Sequence, residues 1–207
     1  MLKRLIEVGV GGITIKPGDH VCAFYRGATG RDEIFLPYIA RGLQEGDKCI
    51  CILEIADRVE VVARLEAILP ALDRVADDQL EVLDCSETYL REGRFSQDEW
   101  FEFLDRSVSA AIHDEGYGVT RGAGEMGWAL RARPGVEDLL VYEAKVNSFA
   151  TRYPQIWMCF YDLERFSGEI IVDVLKTHPK VLINNMVVEN PYYVEPAKFL
   201  ARLKTVV

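Results

Sequence analysis

The chain has 207 residues, 49% of them hydrophobic and 28% charged, and a formal net charge of −9. That length suits one domain with a real core, and the mix is globular rather than disordered or fibrous. No run approaches the roughly 18–20 apolar residues of a membrane span. No cleavable leader follows Lys3 and Arg4, and no Lys/Arg cluster matches a nucleic-acid backbone. The expectation is a cytoplasmic protein with no membrane partner and no direct nucleic-acid partner.

Residues 1–17 read as a weakly structured lead-in, and residues 18–207 as a single domain. Strand and helix then alternate. Val21–Tyr25 is a short apolar strand. Residues 33–45 follow as a helix with Gly46 just past its end, Pro37 threatening to kink or delay it. Lys48–Leu53 is a second strand. Asp57 caps a helix bearing Val62, Leu65 and Ile68, and Leu80–Leu83 is a third strand. Ser96-Gln97-Asp98-Glu99 is a capping box ahead of Trp100, Leu104, Val108 and Ala111 at helical spacing. Tyr117–Thr120 is a fourth strand. A helix spans residues 136–152, Ile156–Tyr161 is a fifth strand, Gly168–Thr177 a helix, and Lys180–Val188 a sixth strand. The tail from Pro191 has room for a short last helix. Alternation of this kind predicts an α/β three-layer sandwich with a mostly parallel sheet covered on both faces.

In such a sheet, ligands bind beyond the carboxyl ends of the strands. That rule selects Tyr25 and Arg26, Glu54, Asp84 and Cys85, Arg121 with Glu125, and Tyr161 with Asp162. The first strand-to-helix connection, Tyr25-Arg26-Gly27-Ala28-Thr29-Gly30-Arg31-Asp32-Glu33, sits where a phosphate loop would. It has glycines but lacks the Lys-Ser/Thr pair that contacts the terminal phosphates and magnesium, so no ATPase activity is expected. Arg121-Gly122-Ala123-Gly124-Glu125-Met126-Gly127-Trp128 reads as a glycine-rich turn lining a pocket, with Arg121 as a candidate partner for a buried Glu143. The competing reading is that Met126 and Trp128 merely fill core.

The five cysteines, Cys22, Cys49, Cys51, Cys85 and Cys159, are odd in number and lie mostly in apolar runs. They are expected to be buried and inert rather than disulfide-bonded. His113 is expected in solvent. His20 and His178 show no metal-ligand spacing to carboxylates or cysteines, and His20 and Cys22 on one strand face do not make a site. No cofactor and no metal are expected, and no Gly-x-Ser-x-Gly signature is present.

Across nearly its whole length the chain resembles the MEDS domain, the sensory domain of methanogens, methylotrophs and DcmR. The matching segments are Gly18-Asp19-His20-Val21-Cys22-Ala23-Phe24-Tyr25, Gly42-Leu43, Gly46-Asp47-Lys48-Cys49, and Tyr89 with Gly93 and Phe95. They continue with Arg121, Gly124-Glu125-Met126-Gly127-Trp128, Tyr142-Glu143, Cys159-Phe160-Tyr161-Asp162, His178-Pro179 and Asn190-Pro191-Tyr192. The resemblance implies a RecA/KaiC-like fold with a degenerate phosphate loop, and a role in sensing small organic compounds. Members of the family often carry a DNA-binding or kinase module. None is apparent here, so output is expected through a separate signalling or regulatory protein.

The resulting expectation is a regulatory sensor whose small organic ligand meets Tyr25, Tyr89, Arg121, Glu125, Met126, Trp128, Glu143, Tyr161 and Asp162. Two alternatives stand beside it. One is an enzyme with Glu125 or Asp162 as general base. The other is an interaction scaffold that needs no ligand. A homo-oligomer stays open beside a monomer.

Overall fold

A computed structural model describes residues 11–12, 14–55, 57–68 and 78–203. The expected lead-in falls partly outside these residues. Within them, β1 (Gly11–Gly12) already pairs with the sheet and Ile15 is buried in the core. The remaining strands are β2 (His20–Tyr25), β3 (Lys48–Leu53), β4 (Leu80–Asp84), β5 (Thr120–Glu125), β6 (Gln155–Asp162), β7 (Lys180–Ile183) and β8 (Met186–Glu189). They form one eight-stranded sheet in the order β1-β8-β7-β2-β6-β5-β3-β4. Every pairing is parallel except β7 with β8.

Period-two alternation divides the central strands between two cores. Val21, Ala23, Cys49, Cys51, Ile156 and Met158 face one side, under α1 (Gly27–Gln44) and α2 (Arg58–Ile68). Cys22, Ile50, Ile52, Trp157, Cys159 and Tyr161 face the other, under α3 (Gln97–His113), α4 (Leu139–Ala150) and α5 (Gly168–Thr177). A last helix, α6 (Pro196–Leu203), contacts α4 and α5. No helix among the described residues is long and apolar enough to cross a membrane.

Local chemistry explains several boundaries. The Ser96 hydroxyl accepts from the Glu99 amide at the start of α3, and Ser167 does the same for Ile170 at α5. Asp57 Oδ1 accepts from the Glu60 amide at α2. Three expectations need correction. The helix expected from residue 33 begins at Gly27 and contains Pro37, so the phosphate-loop position is itself helical. The strand expected over Lys180–Val188 is a hairpin, because Asn184 and Asn185 take left-handed φ of 49° and 57° and turn the chain. The strand expected over Tyr117–Thr120 lies at Thr120–Glu125.

Candidate functional site

That last shift moves Arg121 away from its expected position. Arg-Gly-Ala-Gly-Glu is a fully buried strand rather than a turn. Its glycines make room for aromatic rings. A β carbon at Gly122 would lie 2.1 Å from Trp157 Cε3, and one at Gly124 would lie 2.6 Å from the Tyr89 hydroxyl oxygen. Arg121 is therefore the second residue of β5, at the opposite end of the sheet from the strand carboxyl ends. Its side chain is fully buried. Nε donates to Asp47 Oδ2 at 2.7 Å and Nη2 to Glu45 Oε2 at 3.0 Å. Arg121 thus ties the end of α1 to the sheet and does not meet Glu143.

Four other expected pocket residues lie in the interior. The Tyr89 and Trp128 rings stack with centroids 4.7 Å apart, and Phe95 and Trp100 pack against Tyr89. Met126, Trp128 and Tyr161 have no exposed surface. Trp128 and Met126 belong to a 3-10 turn, Met126–Leu130, that folds under the sheet as soon as β5 ends. The core-filling reading describes these side chains.

Tyr25, Glu125 and Asp162 do converge at the carboxyl edge, ending the adjacent strands β2, β5 and β6. Glu125 Oε1 accepts from Arg31 Nη1 at 2.9 Å, and its Oε2 accepts from the Glu54 backbone amide at 2.6 Å. Arg165 pairs in turn with Glu54. Asp162 Oδ1 accepts from the amides of Gly27 at 3.3 Å and Glu164 at 3.0 Å. Gly27 opens α1, so Asp162 occupies the place at a helix N-terminus where a bound anion would sit. Burial, reinforced by Glu125 and Asp162, pushes the Tyr25 phenol above its ordinary range.

Two concavities open beside this network. One, of about 190 Å³, lies between α1 and α2 and is lined by Phe35, Leu36, Leu53 and Val61 together with Arg31, Asp32 and Arg64. The other is a wider groove of about 750 Å³ along β2 and the β7–β8 turn. Its walls include Phe24, Tyr25, Ile34, Leu163 and Ile183, with Thr29, Glu33 and Asn185 among the polar groups.

Glu143 belongs to a different constellation, which sequence reasoning missed. On the α4 side of the sheet it meets His20, Cys159 and His178, all fully buried. Glu143 Oε2 lies 3.1 Å from His20 Nε2 and 3.4 Å from His178 Nε2, and Tyr161 donates its hydroxyl to Oε1. Burial alone would raise the Glu143 pKa, but the imidazoles of His178 and His20 outweigh it and hold the carboxyl below the usual range. Burial, helped by His178, pushes His20 down to about 4. The expectation that these histidines combine with no carboxylate or cysteine fails because residues 139 positions apart become neighbours when β2 pairs with β6. One signal was available: all four lie in segments that carry the family resemblance.

Comparison with known proteins follows the same lines. A family model described as MEthanogen/methylotroph, DcmR Sensory domain (MEDS) matches residues 19–179. The transcriptional repressor DcmR of Methylorubrum extorquens is 26% identical over 178 residues, covering 86% of this chain. The chain spans 64% of that relative's length. Among solved structures, a KaiC-like protein from Pyrococcus horikoshii superposes with a TM-score of 0.56 at 12% identity, covering 86% of this chain and 79% of its own. The flagellar accessory protein FlaH from Methanocaldococcus jannaschii gives 0.52, also at 12% identity, covering 82% of this chain and 72% of its own. These likenesses show the fold, an α/β architecture of RecA/KaiC type.

Proposed function

The chain belongs to the MEDS family, and from that premise we propose that it is a regulatory sensor that binds a small, largely uncharged organic molecule at the carboxyl edge of the sheet. The observation that carries this reading is the Asp162 carboxylate on the Gly27 amide. Where a related architecture would receive a phosphate, this chain supplies its own anion. Arg31, one of the two arginines of that connection, is likewise engaged by Glu125. What remains open to a ligand is the adjoining groove, with Tyr25 and Phe24 as apolar walls and a few polar groups to orient a small molecule. Binding there would bear on the first turns of α1 and on the β7–β8 hairpin. Their altered surface would signal to a separate regulatory protein, in keeping with the repressor DcmR as a relative.

A thermal-shift panel of short alcohols, halocarbons, carboxylic acids and Mg-ATP tests this. At a concentration about a hundredfold above its dissociation constant, a ligand stabilises by about 2.7 kcal/mol. An organic compound should raise the melting temperature, and Tyr25→Ala should remove that shift while leaving a folded protein. Stabilisation by Mg-ATP would overturn the reading of the α1 N-terminus. Silence across the panel would favour a ligand-independent interaction scaffold.

A further inference from the structure

His20, Glu143, Cys159 and His178 each offer one donor atom, and the four atoms lie within 4.8 Å of one another. His20 begins β2, Cys159 lies in mid β6, Glu143 projects from α4, and His178 follows α5. His20 Nε2 is 3.3 Å from Cys159 Sγ and 3.1 Å from Glu143 Oε2. Glu143 Oε2 is 3.6 Å from Cys159 Sγ and 3.4 Å from His178 Nε2. Ligands bonded to one tetrahedral ion at about 2.0–2.3 Å stand about 3.3–3.8 Å from each other. These four separations fall in or next to that range, and the remaining two lie within 4.8 Å.

The surroundings of His178 point the same way. Its Nδ1 donates to the Val174 carbonyl oxygen at 2.9 Å, with the Thr177 hydroxyl oxygen 3.0 Å away. Its Nε2 is buried and without a hydrogen-bond partner, 3.4 Å from Glu143 Oε2. A cation bound at this point would satisfy both that nitrogen and the carboxylate oxygen.

We propose that these four residues form a metal site for one divalent ion of the zinc type, held by His20 Nε2, Glu143 Oε2, Cys159 Sγ and His178 Nε2. Imidazole and thiolate donors select such an ion over the hard, oxygen-seeking magnesium and calcium. On binding, the Cys159 S–H proton leaves to solvent as the sulfur–metal bond forms. The dication then balances one carboxylate and one thiolate, so the site is neutral overall, as its burial requires. All four positions are buried protein ligands, so the ion is structural and joins four elements distant in the chain. This inference does not depend on the ligand groove, because it concerns other residues and is read by metal content.

The test uses the full chain without an affinity tag, produced with added zinc and also refolded with cobalt. Elemental analysis should find one zinc per chain. The cobalt form should show visible d–d bands of tetrahedral intensity and a near-ultraviolet sulfur-to-cobalt charge-transfer band. Cys159→Ser should abolish the charge-transfer band, whereas Cys51→Ala, a buried thiol on the other face of the sheet, should retain it. Chelator present during refolding should lower the melting temperature. Wild-type chain that is folded by circular dichroism yet holds less than about a tenth of an equivalent of zinc, cobalt, nickel, copper or iron would overturn the proposal. So would a charge-transfer band that survives Cys159→Ser. If Cys159→Ser fails to fold, the wild-type metal content decides alone.

Discussion

At Gly122 the sheet has no room for a side chain, because the Trp157 ring lies across it from the neighbouring strand. Gly122→Ala is expected to cost about 3 kcal/mol, the upper part of the usual range for overpacking. At Gly118 no atom lies within 4 Å of an added β carbon, and alanine there should change stability by less than about 0.5 kcal/mol. Urea unfolding midpoints check both, and equal effects would refute the packing account. The same residue shows why the pocket expectation went astray. A sequence records that glycine is present but not whether the space it leaves goes to a turn, a ligand or a ring.

Helix α1 is held at both ends by groups from elsewhere in the chain. Asp162 accepts from its first amide, and Arg121 reaches Glu45 and Asp47 just past its last turn. The Arg121–Asp47 pair is fully buried on both sides. Arg121→Met takes the guanidinium from a buried carboxylate and should cost about 3–5 kcal/mol. The double variant Arg121→Met/Asp47→Asn should cost clearly less than the sum of the two single changes, with a coupling of about 1–3 kcal/mol in a double-mutant cycle. Additive losses would mean that the pair does not act as a unit. Elements themselves were well legible. Lys48–Leu53 and Gly168–Thr177 stand where apolar runs and end signals put them, and the capping box at Ser96 opens α3 as read. The boundary of β5 was not legible, since two glycines in five residues look like a loop until their aromatic neighbours are known.

One sheet shared by two cores predicts that both faces unfold together as a single cooperative unit. Trp100, Trp128 and Trp157 report on the α3–α5 side, while Cys49 and Cys51 report on the α1–α2 side. Burial, only partly offset by Arg121, pushes the Cys49 thiol up to about 12, and burial raises Cys51 as well. Native protein at pH 8 should therefore leave both thiols unreactive toward a disulfide reagent. In urea, thiol exposure and the loss of tryptophan burial are expected to follow one superimposable transition. Separate midpoints would show that the two faces unfold independently.

Local patterning by itself determined the alternation of strands and helices, the caps of α2 and α3, and the absence of a phosphate-gripping Lys-Ser/Thr pair. Such features depend on neighbours within a few positions, where periodicity and hydrogen-bonding groups can be read directly. Strand order was decided only by the tertiary structure, and with it the company each side chain keeps. Placing β6 between β2 and β5 brings Cys159 to His20, seats Trp157 over Gly122 and sets Asp162 at the start of α1. The cluster of His20, Glu143, Cys159 and His178 exists only in that arrangement, because long-range packing carries no spacing rule along the chain.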